Sequence, residues 1–145
     1  MSDQMASITK PLKSRLFLIY KKRILLLKQT TKNGGKYTVP GGTVESNEFA
    51  KAALVRETKE EIGVTINPDK LGLVHTLHKK KGSSSRIVLY FKIKEWSGAF
   101  QVGEPEKFKK VKWFPLDDLP TNISPTVHFV LQKFLEGKKY SEMRK

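Results

Sequence analysis

A chain of 145 residues is long enough to bury one sizeable core and short for two, so we expect a single domain. The lack of cysteine excludes disulfides, thiolate metal sites and thiol nucleophiles, and no run of 18 apolar residues is present to span a membrane. With 28 basic and 14 acidic residues, the formal charge of +14 favours anionic partners: nucleotides, nucleic acid or an acidic surface.

The two ends of the chain carry no strong structural signal. The first ten residues lack the apolar run of a signal peptide, which predicts a cytoplasmic protein with no membrane partner. We expect a flexible N-terminal segment at residues 1–13, one domain at 14–140 and a flexible C-terminal tail at 141–145. The basic residues form short clusters along the whole chain, and for any one cluster a solvated surface explains them as well as binding does.

The first predicted elements are strands. Apolar runs at residues 15–20 and 24–27 flank the basic segment 21–23, a pattern that predicts a hairpin of two buried strands. A short strand at 36–39 is stopped by Pro-Gly-Gly at 40–42, which forces a loop with unusual backbone angles.

A helix is predicted directly after this loop. Ser46 or Asn47 would cap it, Glu48 would stand in its first turn, and residues 49–62 contain no proline or glycine. Gly63 provides the left-handed stop. The helix therefore follows the glycine loop closely.

The second half returns to strands. Residues 71–77, 86–93 and 111–114 have the β-type pattern, and helical spacing of apolar residues over 127–135 predicts a final helix that ends at Gly137. Strands with one central and one terminal helix indicate an α/β domain with a mixed sheet covered by helices.

Three acidic residues in the predicted central helix carry the chemistry. Glu57, Glu60 and Glu61 stand at i, i+3 and i+4, so their carboxylates would share one face of the helix. Like charges at this spacing repel, and a hard cation with a preference for oxygen, Mg²⁺ or Mn²⁺, would turn the repulsion into binding. A bare Glu-x-x-Glu-Glu is more often a solvated face paired with Arg56 and Lys59.

The residues around these glutamates decide between the two interpretations. Their identities and spacing resemble the Nudix box as a whole: Gly42, Glu48, Arg56-Glu57, Glu60-Glu61, Gly63 and the apolar Val64. One position departs from the pattern, because Thr58 stands where the family has an aliphatic residue; this touches helix packing and leaves the acids intact. The box is highly specific for the family.

The resemblance covers nearly the whole chain from about residue 15. Residues 37–45 look like the lead-in of the family, and 96–98, 104–107 and 113–120 look like the small, MutT-like Nudix hydrolases of (deoxy)nucleoside triphosphates. The downstream match is less specific than the box.

The resemblance implies an α/β/α sandwich with a mixed sheet and a metal site in a loop–helix–loop segment. Carried over by position, Glu57, Glu60 and Glu61 would be catalytic metal ligands for Mg²⁺, with Mn²⁺ as a substitute, and the carbonyl of Gly41 would be a backbone ligand. Three further residues are implied to support the site: Gly42, and Glu48 with Arg56, which would brace the loop and the helix by a salt bridge. The alternative for Arg56 is a solvent-facing side chain.

The reaction implied is hydrolysis of a phosphoanhydride, which needs positioning and charge neutralisation more than covalent catalysis. Water attacks phosphorus and a nucleoside monophosphate leaves. The general base stays open: Glu61 would serve from within the box, whereas Glu104 or Glu106 would reach in from a loop.

Substrate contacts outside the box are weaker predictions. Arg86, His78 and Lys79 are candidates for contacts with phosphate, against the alternative of a solvated turn. Four aromatic residues are predicted to belong to the hydrophobic core, and the alternative for one of them is stacking on a nucleotide base. They are Phe91, Trp96, Trp113 and Phe114.

Several substrates remain open. We expect an ordinary or oxidised (deoxy)nucleoside triphosphate, cut to monophosphate and pyrophosphate, by a monomer or homodimer. The alternatives are ADP-ribose or another nucleoside diphosphate sugar, a dinucleoside polyphosphate, and an RNA 5′ end. The positive charge favours the RNA alternative only modestly. A non-catalytic nucleotide- or RNA-binding Nudix domain is a different class, and the intact glutamates argue against it.

Overall fold

The computed structural model describes residues 12–145. Within them the chain forms eight strands: β1 Leu12–Tyr20, β2 Arg23–Gln29, β3 Tyr37–Thr38, β4 Gly41–Thr43, β5 Gly72–Lys81, β6 Ser84–Ile93, β7 Phe108–Pro115 and β8 Tyr140–Arg144. The two α-helices of this part of the chain are α1 Ala50–Ile62 and α2 Pro125–Leu135. Two short 3-10 segments, Thr31–Asn33 and Pro68–Lys70, lie in connections.

The strands form one mixed sheet with the order β3-β2-β1-β6-β5-β8, and β4 and β7 pair with β1 and β2. The β1–β6 and β5–β8 pairs are parallel, and the remaining pairs are antiparallel. The predicted mixed α/β fold is therefore confirmed.

Each face of the sheet carries one helix, because successive side chains of a strand point to opposite faces. From β1, Leu16 and Leu18 pack with Leu54 of α1 in one core cluster. Phe17 of the same strand packs with Val130 of α2 in the other. The result is the α/β/α sandwich that was expected.

The predicted N-terminal hairpin is present, and its turn consists of Lys21 and Lys22. Both residues have positive φ, 51° and 62°, which glycine and asparagine adopt far more readily than lysine. The two buried strands on either side therefore impose a turn that the turn residues themselves do not favour. Arg23, expected in the turn, is already part of β2.

The start of α1 differs from the prediction. The helix begins at Ala50 after Phe49, and in the described chain no side chain caps it, so neither Ser46 nor Asn47 is the cap. Glu48 precedes the helix rather than standing in its first turn. Its carboxylate accepts a hydrogen bond from Glu45 N at 3.0 Å and forms an ion pair with Arg56 of α1. The predicted stop at Gly63 is confirmed, with φ 76°.

The C-terminal segment also differs from the prediction. Residues 141–144, expected in a flexible tail, belong to β8, which pairs in parallel with β5. His75 explains the attachment: its buried ring hydrogen-bonds Lys138 O at 3.0 Å and Ser141 Oγ at 2.7 Å. At the other end, residues 1–11 of the expected N-terminal segment lie outside the described residues, while Leu12 and Lys13 already belong to β1.

The other predicted elements lie largely within longer observed ones: 71–77 in β5, 86–93 in β6, 111–114 in β7 and 127–135 in α2. Neither helix of residues 12–145 is long and apolar enough to cross a membrane.

Candidate functional site

Two glycines bring the segment after β3 against the rest of the site; they were expected in a loop, but they belong to the short strand β4, which pairs with β1. Gly41 has φ 136°, and a Cβ there would lie 2.2 Å from Ser14 O in β1, so a larger residue does not fit. At Gly42 a Cβ would lie 2.9 Å from the carboxyl carbon of Glu57. The missing side chains thus allow β1, β4 and the acidic face of α1 to meet.

Glu61 is the buried acid of the site, with 5% of its surface exposed. Its Oε1 accepts a hydrogen bond from Gly41 N at 2.8 Å. The pKa of Glu61 is raised to about 8: burial is the largest cause, the negative charges of Glu57 and Glu104 also raise it, and the Gly41 hydrogen bond and the charge of Arg15 oppose the rise. A positive charge beside Glu61 would be strongly favoured.

Arg56 gathers the remaining carboxylates of the box. It donates to Glu48 at 2.7 Å from Nη2 and 3.2 Å from Nε, to Glu57 at 3.0 Å and to Glu60 at 2.9 Å. A further bond reaches Thr43 O at 3.4 Å. The guanidinium therefore ties the loop before α1 to the acidic face of the helix.

The three predicted metal ligands lie in different environments. Glu61 is buried, Glu57 is half-buried, and the side chain of Glu60 is 45% exposed. Over residues 12–145, no group of three or more histidine, aspartate or glutamate side chains is assembled closely enough to hold a metal. The i, i+3, i+4 spacing places the acids on one helix, and the contacts with Arg56 draw Glu57 and Glu60 towards the guanidinium.

Of the two loop glutamates predicted as external bases, Glu104 approaches these acids. Its negative charge raises the pKa of both Glu57 and Glu61, after the larger effect of burial. Its Oε1 is buried with no hydrogen-bond partner among the described residues, while Oε2 lies 3.4 Å from Lys107 Nζ. Glu106 is exposed, and only its backbone oxygen is engaged in this part of the chain.

The end of α1 holds the Glu104 loop in place. Gln101 N donates to Ile62 O at 3.1 Å, and Gly103 N donates to Glu61 O at 2.9 Å. These bonds supply donors for two carbonyls of the last helical turn, which have no partner within the helix. A Cβ on Gly103 would lie 2.0 Å from Glu60 O, so only glycine allows this approach.

A cavity of about 420 Å³ opens beside the glycines of β4. Glu57 and Glu61 lie on its wall together with three cations, Lys13, Arg15 and Lys107. Neither Lys13 nor Arg15 was among the site residues predicted from the sequence. The signal was their spacing at the start of β1: Lys13 and Arg15 stand two residues apart, so they share one face of the strand just before its apolar run.

The donor atoms are of the kind that a hard divalent cation prefers, but their carboxylates are not assembled around one point in residues 12–145. Glu57, Glu61 and Glu104 offer carboxylate oxygens, which hard cations prefer, and they repel one another through a partly buried environment. The unpartnered Oε1 of Glu104 is a buried oxygen that accepts no hydrogen bond from the described residues.

The candidate substrate residues outside the box lie apart from this cavity. Lys79 and Arg86 are direct partners across β5 and β6. His78 points to the opposite face of the sheet from Lys79, and its Nε2 lies 2.6 Å from Ser85 Oγ. The sheet thus separates His78 from the two cations.

The candidate aromatic residues pack within the protein. Phe91 is buried in the core under α1. Trp96 and Trp113 pack on each other, with ring centroids 5.7 Å apart, and against the same core. Phe114 meets Tyr37 at 4.9 Å on the other face.

The sequence from residue 11 to 135 matches the family model of the NUDIX domain. Among solved structures, the chain is similar to a MutT NUDIX hydrolase from Burkholderia pseudomallei, with a TM-score of 0.76 and 25% identity over 84% of this chain and 95% of that one. A MutT protein from Bacillus halodurans has the same fold, with a TM-score of 0.73 and 19% identity over 92% of this chain and 88% of that one.

Curated relatives are similar at low identity. An NAD-capped RNA hydrolase of Stutzerimonas stutzeri is 30% identical over 59% of this chain and 29% of its own length. An 8-oxo-dGTP diphosphatase of Escherichia coli is 27% identical over 63% of this chain and 71% of its own length. An ADP-ribose pyrophosphatase of Methanocaldococcus jannaschii is 32% identical over 68% and 57%. The chain thus spans less than two thirds of the first and third of these relatives.

Proposed function

The chain belongs to the Nudix hydrolase family, and from this premise we propose that it hydrolyses a phosphoanhydride bond of a nucleoside diphosphate derivative with the help of Mg²⁺. The observation that carries the proposal is that Glu57 and Glu61 line a cavity whose wall also bears cations, with Glu104 near enough for its charge to raise the pKa of both acids. Acidic groups able to hold a metal and basic groups able to hold phosphate thus stand side by side.

We assign the metal to Glu57 and Glu61, with Glu60 joining when its side chain leaves Arg56. A bound divalent cation would supply positive charge for the phosphate oxygens and make an attacking water more acidic. Arg56 would then keep its two bonds to Glu48 and continue to brace the loop. The carbonyl of Gly41 stays a proposed backbone ligand.

The residues of the chain divide the remaining work. Lys13, Arg15 and Lys107 line the cavity and neutralise the phosphates of the substrate. Glu104 accepts the proton of the water that attacks phosphorus, and the bridging P–O bond breaks as the nucleoside monophosphate leaves. Glu61 is less suited to act as the base, because its carboxylate is held by Gly41 N and surrounded by protein.

For the substrate we propose a (deoxy)nucleoside triphosphate, ordinary or oxidised, cut to monophosphate and pyrophosphate. The MutT-like fold neighbours and the 8-oxo-dGTP diphosphatase relative, of which this chain spans 71%, support that choice. The relatives named for ADP-ribose and NAD-capped RNA support those substrates less, because this chain spans only 57% and 29% of their lengths.

The test is a panel of nucleotides incubated with Mg²⁺ or with excess EDTA, with products separated by chromatography. The expected result is monophosphate plus pyrophosphate from a nucleoside triphosphate, and no turnover in EDTA. Two monophosphate products from ADP-ribose would replace the substrate assignment and keep the reaction class. Undiminished hydrolysis in EDTA would overturn the metal assignment.

Glu60→Gln tests whether Glu60 joins the metal. We expect kcat to fall by at least about 100-fold with the fold retained, since a group that stabilises transition-state charge would be lost. Glu106→Gln, in an exposed residue, is the matched control and should turn over normally. Normal turnover by Glu60→Gln would leave Glu60 as a surface partner of Arg56.

A further inference from the structure

A diagonal line of cations crosses the sheet on the face that carries α2. We call it the basic row; its members are Arg15, Lys13, Arg86, Lys79 and Lys145. Lys79 and Arg86 are direct partners in β5 and β6, so their side chains share one face. Lys13 is the partner of Val88, which stands two residues after Arg86 and therefore points to the same face.

The two ends of the row follow from the same alternation. Arg15 lies two residues beyond Lys13 in β1. Lys79 is the partner of Met143 in β8, and Lys145 follows two residues later, with its N–H donating to Lys80 O at 2.9 Å. The row thus runs across the neighbouring strands β1, β6, β5 and β8.

No member of the row forms a salt bridge with an acidic side chain within residues 12–145. Lys79 Nζ donates to the neutral Thr126 Oγ1 at 3.2 Å. The pKa of Lys79 is lowered to about 8, mainly by burial and in addition by the positive charges of Lys145, Arg86 and Lys13. Cations crowded in this way destabilise the fold, which a purely structural role does not explain.

The row begins at the cavity of the proposed active site. Arg15 and Lys13 line that cavity with Glu57 and Glu61. Lys13 lies near both the acidic groups of the cavity and the next cation of the row. Burial lowers its pKa most, Arg15 and Arg86 lower it as well, and Glu57 raises it. Positive charge therefore continues from the reacting groups towards β8.

The length of the row argues against a single phosphate as its ligand. Neighbouring strands are roughly 4.8 Å apart, so three strand spacings from β1 to β8 cover about 14 Å before the diagonal offset is added. Several consecutive phosphate groups are needed to meet cations over that distance.

We propose that the basic row binds a chain of phosphate groups that extends from the anhydride cut in the cavity. The proposal deepens the proposed function and rests on it for the position of the reacting anhydride. The phosphate chain comes from a polyphosphate or from the 5′ end of an oligonucleotide, and the two sources are separated by the experiment.

The experiment compares a double variant of the row with a matched control. Lys79→Gln/Arg86→Gln removes two charges far along the row, outside the groups proposed for catalysis. Lys94→Gln/Lys139→Gln removes two exposed charges at the opposite end of β6 and β8. The row variant should keep or raise its melting temperature, because it relieves repulsion between like charges.

Binding is measured in EDTA by fluorescence anisotropy of a labelled RNA octamer with a 5′-triphosphate. The row variant should bind at least about tenfold more weakly, and its log–log salt slope should be smaller by roughly 1.4, from about 0.7 for each lost contact to a single strand. The control should change affinity by less than about twofold. Equal affinities of the two variants, or no binding by the unaltered protein, would overturn the proposal.

Two further probes identify the source of the phosphates. If the same octamer with a 5′-hydroxyl binds as tightly, and loses that binding in the row variant, internal phosphodiesters occupy the row. If it binds weakly and inorganic tripolyphosphate displaces the triphosphorylated octamer, the terminal phosphates do. Hydrolysis of nucleoside triphosphates in Mg²⁺ is measured separately, so that failure of the proposed reaction is distinguishable from failure of the row.

Discussion

At the scale of single residues, Glu61 and Arg56 show how the protein handles crowded negative charge. Arg56 neutralises Glu48, Glu57 and Glu60 by direct ion pairs, whereas Glu61 is held by the backbone N–H of Gly41. Without a metal, the buried carboxylate of Glu61 has no cationic side chain paired with it in residues 12–145, so its ionisation costs folding free energy. The pH dependence of stability should therefore reflect the titration of Glu61.

We expect the stability of the protein in EDTA to fall as the pH rises from about 4.5 to about 8. The folded state binds the proton of Glu61 more tightly than the unfolded chain, so the stabilisation is complete below the unfolded pKa and lost as the pH passes through the folded pKa. Urea unfolding across this range measures the slope. Glu61→Gln should flatten it and Glu106→Gln should not; an unchanged slope in Glu61→Gln would contradict the assignment.

Arg56→Lys should lower kcat/KM by about 10- to 100-fold and raise the Mg²⁺ concentration needed for half-maximal activity. Lysine keeps the charge but cannot reproduce a planar fork that bonds both oxygens of Glu48 and also reaches Glu57. Lys59→Arg, in an exposed residue of the same helix, is the control for a basic exchange on α1. Equal kinetics of both variants would reduce Arg56 to a surface ion pair.

At the scale of elements, the segment between β6 and β7 completes the site. It lies against the C-terminal turn of α1, and its bonds to Glu61 O and Ile62 O fix the loop relative to the helix. The position of Glu104 therefore depends mainly on the backbone hydrogen bonds of the neighbouring Gln101 and Gly103 to α1.

Glu104→Gln should lower kcat by about 100-fold or more, because a positioned general base contributes roughly 10²- to 10⁴-fold. The matched Glu106→Gln should leave kcat unchanged, since its side chain is exposed. The pH–rate profile of Glu104→Gln should also lose its acidic limb, which a purely structural role would not affect. A stronger effect of Glu106→Gln would reverse the choice of base.

Gly103→Ala should displace the loop, because its Cβ would lie 2.0 Å from Glu60 O. We expect a loss of about 1–3 kcal/mol in stability, as for other forced insertions into packed structure, together with a lower kcat. Thermal unfolding and steady-state kinetics measure the two effects. Gly72→Ala, at a position where a Cβ meets no atom within 4 Å, is the control, and it should change neither quantity appreciably.

At the scale of the whole molecule, the charge of +14 acts through its distribution. KM for a nucleoside triphosphate should rise with KCl concentration, because ions screen the field that attracts a polyanion to the cavity and the basic row. A KM that stays flat from low to physiological salt would show that the basic residues serve only the solvated surface. Lys94→Gln/Lys139→Gln should retain most of the salt dependence.

The sequence by itself determined the sheet-and-helix architecture and the identity of the acidic residues. Alternating and helical patterns of apolar residues place buried strands and helices, and the glutamates are encoded by spacing within one helix. The stop at Gly63 was also readable, because a left-handed helix end is a local backbone property. The hairpin was predicted although Lys21 and Lys22 are poor turn residues, since the flanking strands dominate.

Only the tertiary structure decided which distant groups meet. The family resemblance already implied the pairing of Glu48 with Arg56, but not that α1 begins at Ala50 without a side-chain cap. The His75 contacts hold the expected tail in place as β8. The choice of Glu104 over Glu106 depends on how the loop packs on α1. The basic row arises from the register of four strands that are far apart in sequence, and no local pattern encodes that register.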